Sequence, residues 1–120
     1  MTSIDMATGE FDWQVPFGRV PFGWFRTLER WGSPLVGGPI VTGGRLMFAG
    51  ASLDHHMRAV DLANGEVLWE SDSLPAPGNA TPMTYMYKGR QYVVIAAGGN
   101  AVAGTELADS VIAFALPIDD

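Results

Sequence analysis

The chain has 120 residues, the length of one ordinary domain, and a formal net charge of −6 from 7 basic and 13 acidic residues. Its lysines and arginines are scattered singly, which excludes the clustered basic surface that nucleic-acid binding needs. With 48% hydrophobic residues, 15 glycines and 8 prolines, the composition favours an ordered, turn-rich β-protein. There is no cysteine, hence no disulfide framework and no thiolate metal site. The start lacks the features of a signal peptide, and no apolar run approaches the roughly 20 residues of a membrane span.

The first predicted element is a hairpin whose sequence occurs twice. The stretch SIDMATGEFDW at 3–13 aligns without a gap with AVDLANGEVLW at 59–69. Each copy predicts a strand, a two-residue turn and a second strand. In the second copy Asn64-Gly65 favours a type I′ turn, in which both central residues have a positive φ. Thr8-Gly9 holds the same place in the first copy.

Further strands are predicted between the two copies and after the second. The first strand of the second copy, at 59–62, alternates apolar and polar residues and is expected to be buried on one face only. The stretch from Trp24 to Trp31 offers the only helical turn. In chain order, the other predicted strands are 38–42, 45–49, 81–87, 91–97 and 110–116.

The strand count therefore runs two, four and three. The stretch VIAFALP at 111–117 begins like the repeat and departs from it at Pro117, where the second copy has Ala63. Four-stranded antiparallel units arranged radially make a β-propeller. We therefore expect an all-β sector of a propeller in one partial domain. Its parts are the end of one blade at 1–16, an insert at 17–33, a complete four-stranded blade at 34–74 and a last blade without its outer strand at 75–120.

The repeat resembles the tryptophan-docking motif of the eight-bladed quinoprotein dehydrogenases, roughly A-x-D-x-x-T-G-x-x-x-W. In that family the tryptophan packs against the neighbouring blade, and the aspartate and threonine tie the turn by hydrogen bonds. Asn64 departs from the family's threonine, which Thr8 retains. The docking residues that the resemblance implies are Asp5, Gly9, Trp13, Asp61, Gly65 and Trp69.

Longer segments extend the resemblance from Ser3 to Pro117, apart from the stretch 17–31. GGPIVTGGRLMFAGASLD, ATPMTYMYKGRQYVVIAAGGN and DSVIAFALP together resemble the C-terminal end of the membrane-bound glucose/quinate/shikimate dehydrogenases. These enzymes use pyrroloquinoline quinone (PQQ) and Ca²⁺. The resemblance implies that the chain is the last quarter of such an enzyme and is inactive when isolated.

The same resemblance implies the partners and location of the parent protein. Its substrate would be a sugar or polyol whose hydroxyl is oxidised, and its electron acceptor would be ubiquinone. The parent would be periplasmic and anchored to the inner membrane. The remaining propeller blades, on the same or a second chain, would complete the fold.

The resemblance places the general base and the ligands of the cation on earlier blades, so no catalytic or metal-ligating residue is expected in this chain. What the chain would contribute is a wall of the central funnel. The alternative for its glycines is that they only make tight turns. Asn79 lies where relatives often have glutamine, and Asn100 where many have histidine. The expected cofactor-binding residues are Gly37, Gly38, Asn79, Gly98, Gly99 and Asn100.

Two other polar groups could carry chemistry. The pair His55-His56 suggests a metal site, but adjacent strand residues point to opposite faces and no third ligand lies nearby, so an exposed loop is the better interpretation. Asp54 and Arg58 lie beside the second repeat, and a structural tie between strands is expected there rather than catalysis.

Two function classes remain open besides an inactive product of a truncated or split gene. The first is an enzyme, as a sector of a quinone-dependent dehydrogenase. The second is a non-catalytic propeller that serves as a scaffold or binding module and shares only the docking repeat. The segment ATPMTY and the segment QYVVIAAGG favour the enzyme, because scaffold propellers share mainly the repeat.

Overall fold

The computed structural model describes residues 1–21 and 31–118. In this part of the chain all regular structure is β, which confirms the predicted fold class, and no helix is long and apolar enough to cross a membrane. The helical turn predicted at 24–31 lies, apart from Trp31, outside the described residues. The strands are β1 (Thr2–Ile4), β2 (Phe11–Gln14), β3 (Ile40–Val41), β4 (Leu46–Ala49), β5 (Arg58–Asp61), β6 (Val67–Glu70), β7 (Met83–Tyr87), β8 (Arg90–Ala97) and β9 (Ser110–Phe114).

These strands form three antiparallel sheets in chain order. Strands β1 and β2 pair alone, β3 to β6 form a four-stranded sheet, and β7 to β9 form a three-stranded sheet. Within each sheet every strand pairs with the strand before it in the chain, so the described sheets contain no crossover connection. The sheets follow the two-four-three count that the repeat predicts.

Two apolar clusters hold the sheets face to face. The first lies between the β1–β2 hairpin and the four-stranded sheet, and the second between the four-stranded and three-stranded sheets. Strand β4 supplies both, because its successive side chains point to opposite faces. The buried residues of the first cluster are Phe17, Met47, Ala49 and Val60. Those of the second are Met57, Leu74, Val93, Ile95 and Ala97.

Strand β5 shows why one sequence expectation is wrong. The alternating pattern at 59–62 predicted one buried and one exposed face, but Arg58, Ala59 and Val60 are all buried. The strand is central in its sheet, and that sheet is covered on both faces by its neighbours. Arg58, which directly precedes the alternating pattern, is buried as well, within an ionic network.

The hairpin turns also differ from the predicted two-residue type. Asn64 does not have a positive φ, whereas Gly65 does at 77°. The turn is a four-residue loop: the Gly65 amide donates to the Asp61 carbonyl (2.9 Å), and the Asp61 amide donates to the Glu66 carbonyl (2.9 Å). Asn-Gly occupies the last two places of this loop, where only the second residue needs a left-handed conformation.

Side chains close both turns in the same way. In the second copy the Asp61 carboxylate accepts from the Ala63 amide (2.8 Å), and Asn64 Oδ1 accepts from the Glu66 amide (2.8 Å). In the first copy the carboxylate of Asp5 accepts from the Ala7 amide (2.7 Å). These local bonds satisfy turn amides that no strand partner reaches.

Trp13 joins the first hairpin to the second. Its indole Nε1 donates to the Leu62 carbonyl at 2.8 Å, in the turn of the next copy. Its ring lies against Gly65 so closely that a Cβ there would be 2.7 Å from a ring carbon. Gly65 therefore serves twice, by its left-handed φ and by its missing side chain.

Trp69 does not repeat this arrangement, although the docking motif implies that it packs on the neighbouring sheet as Trp13 does. It remains 39% exposed and meets the edge of Phe114, with ring centroids 5.1 Å apart. The third copy departs from the repeat at Pro117, and Asp119 stands where Gly65 would align. The sequence thus offers Trp69 no glycine on which to stack.

We expect the two tryptophans to differ in their contribution to stability. Trp13→Ala removes a stacked ring and a hydrogen bond and should lower the free energy of unfolding by about 2–3 kcal/mol. Trp69→Ala removes a half-exposed ring and should lower it by roughly 1 kcal/mol. Urea titration of both variants measures the difference. Equal losses would contradict the assignment of the main docking contact to Trp13.

Candidate functional site

Four loops meet at one end of the two larger sheets, around the segment 77–81. On one side of it lie the segments 36–38 and 50–52. The Val36 amide donates to the Ala51 carbonyl at 2.8 Å, which joins those two segments. On the other side lies the loop 98–108. Four of the six residues expected to bind the cofactor contact a neighbouring segment at this meeting point, and the other two, Gly98 and Asn100, bond within the loop 98–108.

Gly37 and Gly38 pack directly on segment 77–81. Gly37 has a φ of 108°, and a Cβ on it would lie 3.1 Å from the Ala80 backbone. The Gly38 amide donates to Thr81 Oγ1 at 3.2 Å. The missing side chains thus let segments 36–38 and 77–81 approach each other, a contact that the sequence did not predict for these glycines.

The loop 98–108 is closed by its own backbone. The Gly99 amide donates to the Pro77 carbonyl (2.9 Å), and the Ala108 amide donates to the Gly98 carbonyl (3.3 Å). Gly99 has a φ of 71°, and a Cβ on it would lie only 1.8 Å from the Glu106 carbonyl oxygen. No residue other than glycine fits here without opening the loop.

Asn100 is engaged within the same loop. Its backbone amide donates to Thr105 Oγ1 (2.7 Å), and its side-chain Oδ1 accepts from the Ala103 amide (3.0 Å). The asparagine therefore acts as a local cap. A histidine at this position would keep a different set of contacts, because its ring is longer and its nitrogens lie elsewhere.

Asn79 clamps two of the loops together. Its Nδ2 lies near three carbonyl oxygens, those of Ser52 (3.0 Å), Ala51 (3.3 Å) and Val36 (3.5 Å). Carbonyls only accept, so the amide nitrogen rather than the oxygen must face them. Asn79 Oδ1 is buried and has no hydrogen-bond partner among the described residues.

A buried ionic network stands beside these loops. Arg58 forms a bidentate pair with Asp54, at 3.0 Å and 2.7 Å, and its Nε donates to Glu70 at 2.9 Å. Ser52 Oγ donates to Asp54 at 2.5 Å. The guanidinium also lies over the ring of Phe17, 5.4 Å from its centroid. The structural role expected of Asp54 and Arg58 agrees with this geometry.

Arg19 brings the segment after β2 into the same network. Its backbone amide donates to Asp54 at 2.8 Å, and its guanidinium donates to both oxygens of Glu70, at 3.1 Å and 3.3 Å. Sequence analysis placed Arg19 in an insert, at 17–33, that resembles no family segment. The only signal that could have linked it to this network is its charge opposite to that of Glu70.

The network shifts the pKa of both carboxylates. Burial alone raises the pKa of Asp54 and is the largest single effect. Hydrogen bonds from Arg58 and Ser52, the charge of Arg58 and the Arg19 amide together outweigh it, so the pKa of Asp54 lies below its ordinary value of 3.8. The pKa of Glu70 is also lowered, because contacts with Arg19 and Arg58 outweigh its partial burial.

The two histidines are not in an exposed loop, and that expectation is wrong. Both are half-buried, and each binds a backbone carbonyl of the connection between β6 and β7. His55 Nδ1 lies 2.8 Å from the Leu74 oxygen, and His56 Nδ1 lies 2.9 Å from the Ser71 oxygen. Both rings border an open cleft of about 530 Å³, which Arg19 also lines. No group of three or more potential metal ligands occurs among the described residues.

We expect the buried network to make stability depend on pH. Because its pKa is lowered on folding, Asp54 stabilises the fold above its ordinary pKa, and this contribution is lost as the pH falls through the lowered value. Asp54→Asn should remove that part of the loss below pH 5 and should cost at most about 3–5 kcal/mol at neutral pH, since it leaves the buried Arg58 with Glu70 as its one acidic partner. Urea titration between pH 2.5 and 7 measures both effects.

Glu66→Gln is the control, because Glu66 is exposed on the turn before β6. It should leave the pH dependence unchanged. Glu70→Gln should act in the same direction as Asp54→Asn by a smaller amount, and it serves if Asp54→Asn does not fold. An Asp54→Asn protein with the parent's acid slope would contradict this account of the network.

A matched pair of glycines tests the packing of loop 98–108. Gly99 and Gly104 both have a left-handed φ, at 71° and 68°, but a Cβ on Gly104 meets nothing within 4 Å. Gly104→Ala should cost about 1 kcal/mol through backbone strain alone. Gly99→Ala should cost at least about twice that, because its Cβ also collides with the Glu106 carbonyl. Chemical denaturation and proteolysis of the loop compare them, and similar losses would contradict the close contact.

Comparison with known proteins places this geometry in a family. Residues 1–93 match the family described as "PQQ: Glucose/ethanol/alcohol dehydrogenase, beta-propeller domain". The quinoprotein glucose dehydrogenase of Escherichia coli (strain K12) is 42% identical over 99% of this chain and 16% of its own length. The quinate/shikimate dehydrogenase (quinone) of Acinetobacter baylyi (strain ATCC 33305 / BD413 / ADP1) is 43% identical over 97% of this chain and 15% of its own length.

A solved structure agrees with these relatives. The quinohemoprotein alcohol dehydrogenase from Comamonas testosteroni superposes with a TM-score of 0.51 at 40% identity, over 56% of this chain and 10% of that one. The chain therefore spans only about one sixth of the length of the curated relatives it matches. With a family match over most of its residues and relatives above 40% identity over nearly all of them, the chain belongs to the β-propeller family of the PQQ-dependent glucose, ethanol and alcohol dehydrogenases.

Proposed function

We propose that the chain works as a sector of a PQQ-dependent dehydrogenase that oxidises a hydroxyl group of a sugar or polyol and passes the electrons to a quinone. The observation that carries this is that relatives named for glucose and for quinate/shikimate oxidation match it over almost its entire length. A propeller that shared only the docking repeat would match around 3–13 and 59–69, and not across the loops between and after them.

Further blades of the propeller are part of this proposal. One face of the β7–β9 sheet packs on the four-stranded sheet through Val93, Ile95 and Ala97. On the opposite face of this sheet the register places Met83 and Val111, which are 56% and 72% exposed. A contiguous apolar surface on a soluble domain usually marks a contact with another part of the protein. The remaining blades, on the same or a second chain, would cover it.

The candidate cofactor residues could line one uncharged side of a cofactor site, but they offer no cationic side chain for the carboxylates of the cofactor. PQQ carries three carboxylates around a flat ring system, and when bound it accepts the hydride from the substrate. The glycines of segments 36–38 and 98–99 present backbone without side chains. No lysine or arginine belongs to these segments or to 77–81. In our proposal Gly37, Gly38, Gly98, Gly99 and Asn100 border the cofactor, and its cationic partners belong to other blades.

Asn79 has a distinct part in this proposal. Its amide group is occupied by three backbone carbonyls, and its Oδ1 is buried. It would therefore support the cofactor wall by holding segments 36–38 and 50–52 against 77–81. The residue would act on the cofactor through those segments and not by direct contact.

A Ca²⁺ ion does not find its ligands in the described part of this chain. The cation needs about six to eight oxygen ligands, several from carboxylates. The carboxylates of Asp54 and Glu70 are already paired with arginines. In the proposed function, the ligands of a bound Ca²⁺ would lie on other blades.

The setting that we propose is the one that the family resemblance implies. A quinone acceptor such as ubiquinone would take the electrons, and the parent protein would be anchored to the inner membrane with its propeller in the periplasm. In this proposal the chain forms the last part of the propeller, and its loops face the central funnel.

A chimera tests the proposed function directly. This chain would replace the matching segment of the Escherichia coli quinoprotein glucose dehydrogenase, with which it is 42% identical. We expect a folded protein that, with added PQQ and Ca²⁺, reduces an artificial dye with glucose, quinate or another polyol as donor. Turnover at a level within about tenfold of the parent would support the proposal.

The control is a second chimera with Gly99→Ala, whose loop cannot close as in the parent chain. It should fold but bind the cofactor more weakly. A first chimera that folds and melts cooperatively yet shows no dye reduction with any donor would contradict the proposed function and favour a non-catalytic propeller. The isolated 120-residue chain, given the same cofactors, should show no turnover above a cofactor-only control.

A further inference from the structure

His55 lies between two elements that carry the candidate cofactor loop. Its Nδ1 is 2.8 Å from the Leu74 carbonyl, and the Leu74 amide in turn donates to the His55 carbonyl at 2.7 Å. On the other side of the ring, Nε2 is 3.5 Å from a carboxylate oxygen of Glu106, which belongs to loop 98–108. The imidazole therefore spans from the β6–β7 connection to the loop.

The contacts around His55 form a closed circuit. Glu106 touches Gly99 through its carbonyl, close enough that a Cβ on Gly99 would overlap it. The Gly99 amide donates to Pro77, three residues after Leu74. Glu106, which faces His55, therefore also packs on Gly99. Gly99 in turn joins loop 98–108 to Pro77, close in sequence to the Leu74 carbonyl that orients His55.

The hydrogen-bond chemistry of the circuit depends on the charge of the ring. A backbone carbonyl can only accept, so Nδ1 carries a hydrogen in every protonation state. In the neutral ring Nε2 then has a lone pair, which faces the Glu106 carboxylate, and two acceptors repel. In the imidazolium form both nitrogens donate, and the contact with Glu106 becomes an ion pair.

We propose that His55 is a positioning residue for loop 98–108, which it clasps through Glu106 when its imidazole is protonated and releases when the imidazole is neutral. This inference rests on the proposed function only in the role given to Gly98, Gly99 and Asn100. The clasp itself is a property of this chain. Its effect is small, because the Glu106 side chain is 74% exposed and exposed ion pairs are weak.

Other charged groups near the ring set the limits of this effect. Arg19, Asp54 and His56 line the same cleft. Arg19 and Asp54 are paired within the ionic network, with Glu70 and Arg58 respectively. His56, like His55, is oriented by a backbone carbonyl, that of Ser71. The carboxylate it faces is that of Glu70, at 3.9 Å, which lies outside loop 98–108.

Hydrogen exchange of the loop, measured by mass spectrometry between pH 5.5 and pH 8, tests the clasp. Rates are corrected for the intrinsic pH dependence of exchange and referred to strand β8, which reports on global unfolding. We expect the amides of loop 98–108 to exchange about two- to fivefold more slowly, relative to β8, at pH 5.5 than at pH 8. Protection is present at low pH and is lost as the ring loses its proton.

Three variants separate the clasp from general structural effects. His55→Asn keeps a donor near the Leu74 carbonyl but does not reach Glu106, and Glu106→Gln removes the charge. Both should flatten the pH dependence of the loop. His56→Asn is the matched control and should preserve it, because among the described residues the His56 ring bonds to Ser71 and faces Glu70, neither of which belongs to the loop.

A wild-type loop whose relative protection is the same at both pH values would overturn the proposal, as would an unchanged pH dependence in Glu106→Gln. The measurement uses the chain without cofactor. Loss of turnover in the chimeric dehydrogenase would therefore contradict the proposed function and not the clasp, and a flat exchange profile would contradict the clasp and not the function.

Discussion

The contact of the Trp13 ring with Gly65 is the constraint on which the arrangement of the first two sheets depends. A two-stranded hairpin is at best marginally stable alone, so β1 and β2 need a neighbour against which to pack. The stacking of Trp13 on Gly65 positions the hairpin against the four-stranded sheet. The hydrogen bond from Trp13 Nε1 to the Leu62 carbonyl holds the hairpin to the turn between β5 and β6. A four-residue turn with a left-handed glycine at its end is the geometry that offers both a free carbonyl and a face without a side chain. The type of this turn and the packing of the two sheets therefore depend on the same residues.

The buried ionic network secures the opposite end of the four-stranded sheet. Arg58 is almost fully buried, and its charge is tolerable there because Asp54 and Glu70 both accept from it and the Phe17 ring covers it. Removing either acid would leave the buried guanidinium with one acidic partner instead of two. The same acids bind Arg19, so the chain after β2 is held where it leaves the hairpin. Loops that begin from this network are anchored at a defined position.

The sequence pattern was sufficient to predict the strands, their order and the all-β class, because the repeat marks two hairpins and further apolar segments bounded by glycines lie between and after them. It could not predict the turn type, since Asn64-Gly65 suits both a two-residue turn and the end of a four-residue one. It also overestimated the burial of Trp69, because docking depends on a glycine in the following copy, and that copy has Asp119 in its place. Burial of β5 and of His55 depends on sheets and loops that are distant in sequence, which local alternation does not report. The six cofactor residues came from resemblance, and their contact with a cofactor remains a proposal.

The glycines at the candidate site show how packing and function share one property. The missing side chain that lets Gly99 lie on the Glu106 carbonyl, or Gly37 on Ala80, also leaves the backbone of these loops bare. In the proposed function, a flat cofactor would need such a surface to be rigid. Rigidity here comes from the anchors behind the surface: Asn79 on three carbonyls, Gly99 on Pro77 and Asn100 on its own loop. Because no cationic side chain belongs to these segments, the part this chain can play in binding a tricarboxylate is shape. In the proposed function the charge would come from blades beyond this sector.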